Sequence, residues 1–287
     1  MANVNGGLVS ANQNKNQNLQ TMVHPKNILA NENMKKRFTE ILGKKAPGFM
    51  SSILALYNSD NKFAKVDGYS VVNAALLAAT LDLPINKEFG FAWVIPYGKE
   101  AQFQIGYKGY IQLALRTGQY KNLNVVEIYE GQLVNFNPLT EDLELNIEAK
   151  TSEKVIGYAF FMRLINGFEK TIYWPIEKVR EHGKRFSKTF NNGPWKTDFD
   201  VMAKKTVLKN GLSKWGILSV EMQKAIEADQ AVVNKEISNV DDLTHQDLKY
   251  VDNPGTENVV DAEYKNEAAN EEGEVGQENM FADTPFN

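Results

Sequence analysis

The chain has 287 residues, 43% of them hydrophobic, enough to build a core in one large domain or two small ones. It has no cysteine, which excludes disulfides, thiolate metal sites and cysteine nucleophiles together. The net charge of −4 conceals a division, because residues 1–221 carry 28 Lys/Arg against 20 acids, whereas residues 222–287 carry 4 Lys against 16 acids. A basic body with an acidic tail points to a polyanionic partner for the body, and a solubilising tail on an ordinary domain is the plainer alternative.

Residues 1–30 are rich in Asn and Gln, contain no apolar leader, and read as a flexible arm. Met34, Phe38, Ile41 and Leu42 recur at helical spacing and predict a helix ending at Gly43. Pro47 opens a second helix through Phe49, Ile53, Leu56 and Tyr57. The third, Val71 to Leu81, is apolar on most sides, which predicts burial, and it is too short to span a bilayer. In "FAWVIPYGKEAQFQIGY" two β-rich runs flank "YGKE" and predict a hairpin. The next helix runs from about Gly109 to Thr117 and stops at Gly118, a residue suited to a left-handed cap.

Strand-like runs then recur in "LNVVEIYE", "QLVNFN", "LELNIEA", "VIGYAFFMRLI" and "FEKTIYW". Helices are predicted over Ile176 to Ser187, Asp198 to Asn210, and Val220 to about Ile237. From Asp241 the chain is acidic and aperiodic, and reads as a disordered tail. Strands grouped in the middle with helices on either side predict an α+β domain over residues 31–240, built on a mainly antiparallel central sheet flanked by helices.

The stretch "IGYKGYIQLALRTG" places Lys108, Gln112 and Arg116 on one helical face, with Gly106 and Gly109 at the helix start. Free N–H groups and the helix dipole there suit an anion, although a tight strand-to-helix turn would need the same glycines. From Lys170 to Trp215 there are 11 Lys/Arg against 4 acids. Arg180, Lys184 and Lys188 fall at i, i+4 and i+8. In "TDFDVMAKKTVLKNG", Thr197 and Asp200 have capping-box spacing and Asp200 can pair with Lys204. Lys205 and Lys209 share a face with no acid to neutralise them. Between these helices, "FNNGPWK" sets Phe190 and Trp195 among Asn, Gly and Lys, which suits stacking on bases or, equally, a packing anchor.

The chain has no G-x-x-x-x-G-K-[ST], and "GYKG" is not a dinucleotide fingerprint. His24, His182 and His245 are isolated, and Asp198 and Asp200 fall on different helical faces, which argues against a metal-dependent nuclease. Glu127 and Glu130 form only a weak acidic pair in a strand. A nucleic-acid backbone bound without chemistry is the favoured reading. A plain single-strand or RNA-binding module is the alternative.

The run "FAWVIPYGKEAQFQIGYKGYIQLALRTGQYKNLNVVEIYEGQ" resembles the central signature of the RecT family of phage single-strand DNA annealing proteins, and "WKTDFDVMAKKTVLKN" resembles its second. The similarity covers roughly Ile85 to Val220. The later "KNGLSKWGILS" departs from the more basic run of many members. The resemblance implies ATP-independent annealing. The missing cysteines fit a reducing host cytoplasm, and the missing motifs and clusters leave no cofactor, metal or catalytic residue expected. It implies homo-oligomeric rings or helical filaments, and a groove for single-stranded DNA and the annealed duplex. It also implies a partner phage exonuclease, no membrane, and a phage of a Gram-positive host as source. The ending "ADTPFN" resembles the acidic tip by which bacterial single-strand binding proteins recruit partners, but a pocket that requires Phe at the free end would reject the final Asn287, and a solvating tail is the favoured reading. A host single-strand binding protein is a further expected partner. Lys108, Arg116, Lys184, Arg185, Lys188, Lys196, Lys204 and Lys205 are the candidates for phosphate contact. Tyr107 and Trp195 are the candidates for contact with the strand or its bases.

Overall fold

The computed structural model of the chain describes residues 23–233 and 247–250. Its most apolar segment becomes its most buried helix. Four helices, α1 (Pro25–Ala30), α2 (Glu32–Leu42), α3 (Ala46–Asn58) and α4 (Gly68–Thr80), form the N-terminal part, and every residue of α4 from Ser70 to Ala79 is buried. The Asp67 carboxylate starts α4 by accepting the Ser70 N–H at 3.1 Å. Ile28, Leu29, Met34, Phe38 and Ile53 join the same core. Helix α1 lies inside the expected flexible arm, which corrects that expectation for Pro25–Ala30. Pro25 presets the first turn, His24 accepts the Lys26 N–H, and burial of Ile28 and Leu29 holds the short helix in place. The rest of the expected arm, residues 1–22, lies outside the described residues.

The predicted hairpin forms as β1 (Ala92–Tyr97) and β2 (Glu100–Ile105), with Gly98 supplying φ +63° in the turn. It packs on α4, where the Ser70 hydroxyl accepts the Ala101 N–H at 2.8 Å. Helix α5 (Tyr107–Arg116) follows without a break, and Gly118 ends it at φ +67°.

Five more strands complete the middle: β3 (Tyr120–Tyr129), β4 (Leu133–Asn137), β5 (Asp142–Leu145), β6 (Val155–Leu164) and β7 (Glu169–Pro175). A three-stranded antiparallel sheet has the order β3-β6-β7, and β4 and β5 pair as a separate hairpin. The register sets Val125 opposite Phe160 and Glu127 opposite Tyr158. The run "LELNIEA" is strand only to Leu145, with a 3-10 turn over Ile147–Ala149. Helices α6 (Ile176–Phe186) and α8 (Phe199–Trp215) then cover the sheet, with the short α7 (Pro194–Thr197) packed on α8. Gly211 lets α8 sit on the Phe160 ring, where a Cβ would lie 2.6 Å from that ring, so the helix continues past Asn210 to Trp215.

Helix α9 (Val220–Ala228) stops well short of Ile237. Asp229 turns inward, Gln230 takes φ +72°, and β8 (Val232–Val233) pairs with β9 (Leu248–Lys249). The free edge of β2 is met there: Gln230 N–H donates to the Phe103 carbonyl and Phe103 N–H to the Ala231 carbonyl, both at 2.9 Å. Residues 248–250 therefore belong to the fold rather than to the acidic tail. The class is α+β as expected, with every strand pairing antiparallel among the described residues, although the strands divide into four small sheets.

Candidate nucleic-acid interface

At the start of α5 the two glycines serve close packing. A Cβ at Gly106 would lie 2.0 Å from the Gly90 carbonyl oxygen, and one at Gly109 would lie 2.1 Å from that of Phe91. The segment before β1 thus covers part of the helix start, and Lys108 projects into solvent beside it. Arg116, at the other end, is engaged: its guanidinium donates to the Leu81 carbonyl at 2.6 Å and the Asp82 carbonyl at 2.7 Å, closing the C-terminus of α4.

Tyr107 is half-buried, and burial pushes its hydroxyl up while nearby Lys204 pulls it down. The Lys204 ammonium donates to the Glu127 carboxylate at 2.7 Å, a hydrogen bond that holds Lys204 above the usual lysine range. This corrects the expected pairing of Lys204 with Asp200. Asp200 instead accepts the hydroxyl of Tyr158, a ring buried on β6 whose polar end needs a partner. The expected capping box is absent for the same reason, since Asp200 faces Tyr158 and Thr197 donates to Asp198 at 2.6 Å. Phe199 then carries the Arg180 guanidinium 4.7 Å above its ring. Interactions therefore run from Tyr107 on α5 to Lys204 on α8, and from Phe199 on α8 to Arg180 on α6, with Lys108 exposed next to Tyr107 in the chain.

Lys205 does not share that face, and the expectation that no acid neutralises it is corrected. It is 8% exposed, and its ammonium lies 3.4 Å from the carboxylate of Asp229. The other Asp229 oxygen accepts from Lys209 at 2.9 Å, and the carboxylate also takes the Ile105 N–H and the Tyr110 hydroxyl. Burial drives the Asp229 carboxyl upward, yet Lys205, Lys209 and the Ile105 N–H together hold it well below the usual carboxylate range. Burial pushes the Lys205 ammonium down, against the pull of Asp229. The available signal was its spacing: Lys205, Leu208 and Leu212 recur at i, i+3 and i+7, an inward face.

Trp195 is likewise interior, 7% exposed, with ring centroids 5.8 Å from Phe190 and 5.6 Å from Phe199. A Cβ at Gly183 would lie 2.7 Å from Phe190 and 3.0 Å from Trp195, so the loop's aromatics clamp α6 onto α8. The packing anchor is the correct reading, which corrects the idea of a stacking platform. Lys196 stays exposed next to it. On α6, Arg180, Lys184 and Arg185 are exposed, while Val179 and Gly183 are buried. The helix ends at Phe186, so Lys188 follows it as an exposed loop residue rather than completing a third turn.

The sequence pattern of the RecT family matches residues 47–244, from α3 past β8. The chain belongs to the RecT family. It is 56% identical over 215 residues to the Bacillus subtilis (strain 168) protein YqaK, itself uncharacterised, across 75% of each chain. It is 31% identical over 176 residues to protein RecT of Escherichia coli (strain K12), across 57% of this chain and 64% of that one. RecT-family membership makes this a single-strand annealing and recombination protein that binds single-stranded DNA and oligomerises. Among the described residues no helix is long and apolar enough to cross a membrane.

Proposed function

We propose that the protein anneals complementary DNA strands without ATP, holding their phosphates along the stripe from Lys108 across α8 to Arg180, Lys184, Arg185, Lys188 and Lys196. One observation carries this reading. Among the described residues no carboxylate pairs with Lys108, Arg180, Lys184, Arg185 or Lys196, whereas the inward cations Lys205 and Lys209 are matched by Asp229. Unmatched exposed cations along linked helices favour a polyanion.

Annealing is downhill once strands meet, so the protein needs only to reduce phosphate repulsion and keep bases exposed. Lysine and arginine contacts to phosphate do this without reading sequence. Assembly into a ring or helical filament would extend the stripe along a long strand. A phage exonuclease would supply the single strands, and a host single-strand binding protein would be displaced from them. The Bacillus subtilis relative is in keeping with a Gram-positive host.

The test is an assay with two complementary oligonucleotides, one carrying a fluorophore and the other a quencher, in EDTA and without ATP. Rapid pairing of intact strands supports the proposal. Binding to one strand without faster pairing selects a plain single-strand binder, and shortened strands select a nuclease.

A further inference from the structure

Lys204 is the cation that α8 sets beside Tyr107 within the proposed stripe, yet an acid from another element holds it. Strand β3 brings Glu127 opposite Tyr158, and Tyr158 is occupied by Asp200, so Glu127 is left facing Lys204. The Lys204 and Glu127 side chains are 29% and 25% exposed, which partly shields the 2.7 Å charge-assisted bond from water and salt. A phosphate reaching for Lys204 must break that bond and then face an uncompensated carboxylate.

We propose that Glu127 withholds Lys204 from the DNA backbone and so caps the strength with which a strand is held. This rests on the annealing function proposed above. Two strands find their register only if wrong pairings can slide and release, and each additional phosphate contact slows release. An acid inside a cationic stripe therefore favours the search over the grip.

Glu127→Gln keeps the side chain's size and removes its charge, freeing Lys204. The expected result is a salt dependence of single-strand affinity steeper by about 0.7 in log–log slope, the increment for one more phosphate contact. That increment corresponds to about fivefold tighter binding at 0.1 M salt. Annealing at saturating protein should be slower. The double variant Glu127→Gln with Lys204→Gln should return the slope to that of the unaltered protein. A folded Glu127→Gln protein with an unchanged slope overturns the proposal, as does a gain that persists in the double variant. If Glu127→Gln melts too low to assay, Glu127→Asp shortens the reach while keeping the charge. It should give a smaller gain of the same sign, and no gain overturns the proposal. If the unaltered protein neither binds nor pairs strands, the annealing function itself fails, an outcome distinct from these.

Discussion

Asp229 decides what charge changes on α8 will do. Lys205→Glu would set a second carboxylate against Asp229 in a space that now holds an ion pair, and breaking a buried pair destabilises by about 3–5 kcal/mol. The variant should therefore show a much lower urea midpoint, and its loss of DNA binding would report unfolding. Lys184→Glu on exposed α6 should stay within about 1 kcal/mol of the parent and still lose affinity, with a salt slope shallower by about 0.7. Unchanged affinity at low salt would remove Lys184 from the interface. Acid should act through Asp229. Its folded pKa lies below that of the unfolded chain, so its contribution is fully present above the ordinary carboxylate range near about 4 and is lost as pH falls through the folded value. Burial also lowers the Lys205 ammonium on folding, so Lys205 likewise favours the fold as pH rises, but toward the ordinary lysine range of about 10. Melting temperature should drop below about pH 4, and Asp229→Asn should flatten that drop while lowering stability throughout.

At the scale of elements, α6 and α8 are joined through the aromatic clamp of Phe190, Trp195 and Phe199. Trp195→Ala should lower stability by about 3–5 kcal/mol, as for a large core truncation, measured by chemical denaturation. If Trp195→Ala loses DNA affinity with stability unchanged, the clamp account fails. Elements that follow local rules were legible in the chain. The β1–β2 hairpin is marked by "YGKE", α4 by its apolar run, α5 by Gly118 at its end, and the β3, β6 and β7 runs by β-rich composition between turns. Elements decided from afar were not. Nothing in "VEMQKAIEADQAVV" announces that Asp229 will turn inward, because the groups that draw it there, Ile105 and Tyr110, lie 124 and 119 residues away. Lys205 shares an inward face with Leu208 and Leu212, but a lysine there reads as a solvent cation as long as its acid, Asp229, lies on a segment that no local rule places. The loop "FNNGPWK" has the same composition whether its indole stacks on a base or on Phe199. The cations of α6 were legible because their face is polar throughout, and only the position of Lys188 changed, where Phe186 ends the helix.

For the whole molecule, the acidic C-terminal stretch and the basic stripe share one chain, and a tethered polyanion competes with DNA at high effective concentration. The fold sets where a truncation must begin. The Tyr250 hydroxyl donates to the Glu227 carbonyl and Lys249 pairs with Glu100 at 3.6 Å, so Tyr250 should be kept. Removing residues 251–287 deletes ten acids and one lysine, and single-strand affinity at moderate salt should rise in a filter-binding titration. No rise would mean that the stretch does not occupy the stripe. The strand laid along β2 by Gln230 and Ala231 bears on how the protein is made. While the ribosome is still upstream of residue 229, Phe103 has no partner for its outward N–H and carbonyl, and Lys205 and Lys209 have no counter-ion. The nascent chain must hold these groups in water until Asp229 to Ala231 emerge, then close contacts that span well over a hundred residues in one late step. Synthesis halted by a premature stop just before Asp229 should thus leave a product cleared by proteases rather than a weakened annealer.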